Sequence, residues 1–155
     1  GFVVSVAVVG LLLLRIYGLN PQDQRPGLWL SGNPIDNPVS NWSFTDDVTE
    51  IFVQTRTPYF IPHSVTAYCT VYNGDLYLFS AYYEGGDFPD TRSWNRNVIR
   101  DPRVRLKLGE GLYDVTLQHI SDDSIRIPVI RSFEAKYSQW GNPGDQNVHI
   151  FLVES

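Results

Sequence analysis

The sequence predicts a mainly β domain behind an apolar N-terminal helix, and three observations lead to that reading. Asn73-Gly74 separates two strand-like runs, Val65–Tyr72 and Leu76–Ser80. The dipeptide is a strong hairpin signal, because a type I′ turn needs positive φ at both central residues. Val104, Leu106 and Leu108 alternate with Arg103, Arg105 and Lys107, the period of a half-buried strand. Finally, Gly1 to Leu14 is apolar and uncharged as far as Arg15.

The N-terminal run has no polar face beyond Ser5, which a core helix would show. Ile16, Tyr17 and Leu19 prolong its apolar character, and Tyr17 suits a membrane interface. A spanning helix needs about 20 apolar residues. The chain opens on glycine and has no methionine, so the run reads as the C-terminal part of a transmembrane helix begun before Gly1. The expectation is a single-pass, membrane-anchored protein, with residues 1–19 as the anchor and the side of the membrane left open. Residues 20–41 follow as an extended arm, with Pro21, Pro26, Pro34 and Pro38 beside Gly27 and Gly32. Within it, Leu28-Trp29-Leu30 is an apolar run suited to packing on the domain or on the membrane surface.

Residues 42–155 form the expected folded domain. Its first strand is Val48–Arg56, and Pro58 and Pro62 bracket a tight connection to the Val65 strand. Beyond the hairpin come an aromatic, glycine-containing loop, Ala81–Asp90, and a short helix, Arg92–Arg100. That helix stops at Asp101, because the residue before a proline is pushed out of the α region. Gly109-Glu110-Gly111 turns the chain into the strand Leu112–Gln118. Asp122-Asp123-Ser124 then reads as a helix start, with Pro128 placed in the first turn. Ile130, Phe133, Tyr137 and Trp140 form one apolar stripe, Gly141-Asn142-Pro143-Gly144 ends the helix, and His149–Val153 is the last strand.

A chain of 155 residues is one domain's worth. A net charge of −5, with no basic-aromatic strip, argues against nucleic-acid binding. The lone Cys69 has no internal disulfide partner and reads as a buried small hydrophobe. His63, His119 and His149 are not at metal-ligand spacing with one another, with cysteine or with a carboxylate, so no metal site is expected. No G-x-S-x-G elbow is present. Positive charge gathers in one place: Arg92–Lys107 holds six of the 12 basic residues against the single acid Asp101. Arg92, Arg96 and Arg100 recur every fourth residue, and arginines beside a helix N-terminus can hold a phosphate.

A strand, a loop, a helix reading Trp94-Asn95-Arg96-Asn97, then Asp101-Pro102-Arg103-Val104, Gly109 and Tyr113 resemble the FMN-binding split-barrel superfamily. This group includes pyridoxamine-phosphate-oxidase-like and deazaflavin-dependent nitroreductase-like proteins. The resemblance implies a six-stranded split β-barrel with one or two short helices. It also implies a cofactor, FMN or a deazaflavin, with its phosphate near the strand–loop–helix junction. Carried over residue by residue, the cofactor-binding candidates are Ser80, Tyr82, Arg92, Ser93, Arg96 and Asn97. His63, opening the strand that lines the pocket in such proteins, is the catalytic candidate, able to polarise a flavin carbonyl or a substrate oxygen. Homodimerisation is a further implication. The basic phosphate signature that the oxidases spread over two strands is not evident here.

Two functions stay open at this point. One is a flavin- or deazaflavin-dependent oxidoreductase acting on a small substrate. The other is a non-catalytic accessory subunit of a larger membrane complex with a cofactor-free barrel, in which Tyr82, Tyr83, Phe88 and Trp94 fill the pocket. An open ring-sized slot beside Arg92 or Arg96 separates the two.

Overall fold

The computed structural model describes all residues, Gly1–Ser155. Seven strands and three helices follow in chain order: α1 Phe2–Tyr17, β1 Asn33–Pro34, β2 Ile51–Thr55, β3 His63–Tyr72, β4 Asp75–Ala81, α2 Ser93–Arg100, β5 Arg103–Leu108, β6 Gly111–Ile120, α3 Asp123–Lys136 and β7 Val148–Glu154. Six strands close a barrel in the order β2-β3-β4-β7-β6-β5 and back to β2, and every neighbouring pair is antiparallel. Closure leaves no free barrel edge. The two-residue β1 is an addition, pairing parallel to Gly111 and Leu112 on β6.

Strand periodicity builds the interior. Ile51 and Val53, Ala67 and Cys69, Leu76 and Leu78, Val104 and Leu106, Val115 and Leu117, and Phe151 and Val153 all point inward into one cluster. The alternate residues of β4 and β7, Tyr77, Phe79, Val148 and Ile150, face outward and are buried under Val129, Ile130 and Phe133 of α3. Both faces of β4 are therefore covered, which accounts for its nearly unbroken apolar run. At one barrel end α2 acts as a stopper through Trp94 and Val98.

The β3–β4 turn has Asn73 at φ 52° and Gly74 at φ 83°, as a type I′ hairpin requires. A Cβ on Gly74 would meet nothing closer than 3.5 Å, so a side chain there is opposed by backbone conformation alone. Gly74→Ala should therefore lower stability by about 1–2 kcal/mol, read from chemical denaturation. A neutral result would contradict the left-handed turn.

Two expectations fail in the helices. Helix α1 has 16 residues, about 24 Å at about 1.5 Å per residue, against about 30 Å of bilayer hydrocarbon. It stops at Gly18, φ 77°, where a Cβ would lie 2.9 Å from the Trp29 carbonyl oxygen; the chain then turns back and Leu19 N–H bonds that same oxygen. No helix is long and apolar enough to cross a membrane. This overturns the N-terminal transmembrane helix and the single-pass, membrane-anchored localisation read from the sequence. Pro128, for its part, lies in the second turn of α3 rather than the first, since the helix begins at Asp123 with Asp122 as its cap. The Asp122 carboxylate accepts from Ser124 N–H at 2.9 Å. Tyr137 is the C-cap and Trp140 lies beyond it, though both pack on the cluster under α3.

The arm lies along the barrel. Gly27 and Ser64 exchange backbone hydrogen bonds of 2.8 and 3.0 Å at the start of β3. Leu30 is buried, and its N–H donates to Gln54 Oε1 at 2.7 Å.

Candidate functional site

A groove of about 820 Å³ runs over the outer face of β3 and β4. Its floor includes Thr66, Tyr68, Phe79 and Ala81, each on the side of its strand that faces away from the barrel. Phe133 in the last turn of α3, with its C-cap Tyr137 and Trp140 beyond it, forms one apolar wall. Tyr83, Arg92 and Trp94 form the opposite wall at the strand–loop–helix junction. The volume falls within the range of about 300–1,000 Å³ common to small-molecule and cofactor sites. Aromatic walls with Arg92 at the rim suit a flat, polarisable ring carrying an anionic substituent.

Arg92 is positioned by the fold. Its Nε and Nη2 donate to the Ala81 carbonyl at 3.0 and 2.5 Å, and its guanidinium sits 5.5 Å above the Tyr82 ring. These bonds tie the start of α2 to the end of β4 and hold a positive charge in the groove wall. No carboxylate pairs with it.

The other sequence-derived candidates occupy different places. Ser80 borders the groove through its position on β4, but its hydroxyl donates inward to Asn95 Oδ1 at 2.6 Å. Tyr82 is buried, and its hydroxyl donates to that same oxygen at 2.6 Å. Burial in this setting pushes the Tyr82 phenol pKa up. Asn97 is buried on α2 and donates to Thr55 Oγ1 at 2.9 Å, pinning α2 to β2. Arg96 is exposed and does not line the groove. Ser93 is exposed and meets His63, Oγ to Nε2 at 3.3 Å. His63 is half-buried at the start of β3, away from the groove lining, and burial lowers its pKa, favouring the neutral ring. Of the seven candidates, Arg92 and Ser80 line the groove, and only Arg92 brings it a charge.

The sequence reading missed three features. The α3 wall was seen only as a packing stripe, yet Tyr137 and Trp140 face the groove as well as the core. Lys136 also lines the groove, and its Nζ donates to the carbonyls of Val48 and Cys69 at 2.5 and 3.0 Å. Asn95 is wholly buried, gathers the Ser80 and Tyr82 hydroxyls, and leaves its own Nδ2 without a partner.

At the same barrel end His119 and His149, on neighbouring strands, point inward with Nε2 and Nδ1 3.2 Å apart. Phe88 from the Ala81–Asp90 loop stacks on both rings, at 3.9 Å from His149 and 4.6 Å from His119. Phe88 thus plugs the barrel and leaves the groove on the outer face open. The two imidazoles are not part of any group able to hold a metal ion.

No protein-family model and no curated protein matches the chain. Solved structures do. A candidate pyridoxamine 5′-phosphate oxidase from Listeria innocua superposes with a TM-score of 0.53 at 14% identity, covering 72% of this chain and 86% of its own. A candidate 5-nitroimidazole antibiotic resistance protein from Bacteroides thetaiotaomicron gives 0.53 at 15% identity, over 76% and 81%. An F420-H2 dependent reductase gives 0.52 at 20% identity, over 69% and 95%. At these identities the likeness is one of fold: the chain has the FMN-binding-like split-barrel fold.

Proposed function

We propose that the chain binds a flavin or deazaflavin in the groove over β3 and β4 and acts as an oxidoreductase on a small substrate. The observation that carries this reading is the open, aromatic-walled groove of about 820 Å³ with Arg92 fixed at its rim. The accessory-subunit reading expects the junction aromatics to fill that space. Tyr82 and Phe88 turn into the barrel end, and Tyr83 and Trp94 line the groove without closing it. The names of the similar structures, an F420-H2 dependent reductase among them, agree with this class of cofactor.

The residues present suit such a group. Thr66, which lines the groove floor, carries a buried Oγ1 with no hydrogen-bond partner, an unsatisfied polar atom beside a ligand-sized space. When bound, the cofactor supplies the two-electron chemistry, and the protein binds it, orients it and keeps water from it. Tyr68, Tyr83 and Trp140, the groove-lining aromatics that keep accessible surface, offer apolar area for the ring, and Arg92 offers a cation to its anionic part. His63, neutral and hydrogen-bonded to Ser93, steadies the first turn of α2 and through it Arg92. A second copy of the chain is the partner we expect; a similar structure at 18% identity is described as a domain-swapped dimer.

The test is titration of the purified chain with FMN and with the deazaflavin coenzyme, followed by fluorescence. One of them should bind, and Arg92→Ala should weaken it about tenfold, the scale of one charge-assisted hydrogen bond. Arg96→Ala, on the exposed face of α2, should leave the affinity unchanged. Failure of the wild-type chain to bind either compound removes the proposal.

A further inference from the structure

A second cavity, of about 670 Å³, adjoins the groove and shares Thr66, Tyr68, Arg92 and Trp94 with it. The two are therefore compartments of one trough meeting at a waist formed by those four residues. Their chemistry differs sharply. The first is walled by aromatic rings, whereas the second is closed by Asp23, Gln24, Arg25 and Pro26 of the arm, with Glu50 and Val65 from the barrel side.

The arm is built to stand there. Leu19 N–H donates to the Trp29 carbonyl at 2.7 Å and Leu28 N–H to the Leu19 carbonyl at 2.8 Å, making a small hairpin. At its tip Gln22 and Arg25 exchange backbone bonds of 3.1 and 2.8 Å, with Asp23 at φ 50°. The hairpin is fastened to β3 at Gly27, where a Cβ would lie 2.1 Å from the Leu19 carbonyl oxygen and 2.7 Å from Ser64 Oγ. Only glycine permits that approach.

We infer that the arm supplies a second subsite of the trough, which receives the polyol-phosphate tail of a ribityl-phosphate cofactor between Arg25 and Arg92. The inference rests on the function proposed above and assigns the tail of that ligand. Arg25 and Arg92 are held by neutral partners, Gln22 Oε1 and the Ala81 carbonyl, so neither charge is neutralised by a carboxylate. Both remain available to phosphate oxygens. Thr66, whose buried hydroxyl has no partner, is one of the four residues shared by the two compartments. Asp23 and Glu50 line the same compartment and can accept from the hydroxyls of a polyol. An amphipathic ligand, ring on one side and hydroxylated anion on the other, matches both halves of the trough.

The experiment compares Arg25→Ala with the wild-type chain for two ligand pairs: FMN against riboflavin, and the deazaflavin coenzyme against its phosphate-free parent. Arg25 is exposed on the arm, so the variant should fold. The expected result is an affinity about tenfold lower for the phosphorylated member and unchanged for the other. Gly27→Val, which forces the arm away from β3, should reproduce the loss. Equal effects on both members of a pair, or no effect on either, overturn the inference and leave the ring site standing. If the wild-type chain binds none of the four compounds, the proposed function fails, and inorganic pyrophosphate at low salt becomes the probe. Pyrophosphate binding that disappears in Arg25→Ala would keep the arm subsite as an anion site; no pyrophosphate binding would overturn it too.

Discussion

Phe151→Ala is expected to lower the stability of the fold by about 3–5 kcal/mol, the usual cost of removing a buried aromatic ring. Phe151 is fully buried, and its ring lies 5.4 Å from those of both Trp94 and His119 and 6.3 Å from that of Phe88. It is where the interior of the barrel meets the α2 stopper and the loop plug. A closed antiparallel barrel cannot readily draw its strands together to refill the space, because six ladders of backbone hydrogen bonds fix their separation. The cavity therefore persists, and domains have only about 5–15 kcal/mol in total. In urea the midpoint should fall steeply while the slope stays constant, since the surface exposed on unfolding hardly changes. A loss below about 1 kcal/mol would mean that the barrel end collapses around the missing ring. In that case Phe88 would be the side chain to move.

Much of the barrel was legible because period-two alternation and turn chemistry are local. Val104, Leu106 and Leu108 point inward as their spacing requires, and Asn73-Gly74 makes the turn its residue types demand. The same alternation held information about the site that was not used. Leu76, Leu78 and Ser80 share a parity, so a strand that buries the leucines must turn the Ser80 hydroxyl inward, away from the outer groove. In α2, Trp94 and Val98 fix the inner face, and Arg92, as the N-cap, does not share the direction of Arg96 despite the four-residue spacing. What could not be read depends on contacts between distant segments. The docking of Gly27 on Ser64, the α3 wall and the pairing of His119 with His149 all follow from how elements meet. Histidine spacing along the chain could not reveal that pair, since strand register alone brings the rings together. The C-terminal end of α1 turned on the same kind of contact: Gly18 adopts positive φ where the arm folds back.

Stability should fall as the pH drops from about 6.5 toward 4, and the His149–His119 pair should account for much of that fall. His149 is held at a pKa of about 4, first by burial and then by the neighbouring charges it would face, those of His119 and Arg126. His119 is lowered in the same direction, by burial and by Arg126. Around them lie Phe88, Phe151 and the Tyr82 ring, and the buried phenol stays protonated throughout this range. Arg126 is held by Asp123 and by the Asp145 and Val148 carbonyls. An unfolded histidine takes up its proton near pH 6.5, whereas folded His149 resists until about 4. Between those values the unfolded chain binds more protons than the native one, so stability rises with pH across this window. With allowance for residual solvent contact, the loss on acidification is on the order of 2 kcal/mol. Carboxylates with lowered pKa, such as Asp101 at about 2, give up their contribution mainly at lower pH, below this range. His149→Phe keeps a flat ring under Phe88 and removes the titrating group, so its denaturation midpoint should change far less between pH 7 and pH 4.5 than that of the wild-type chain. Parallel slopes for the two proteins would show that the pair is not what acid attacks. A flattened slope would identify the Phe88 plug as the part of the barrel that acid loosens first.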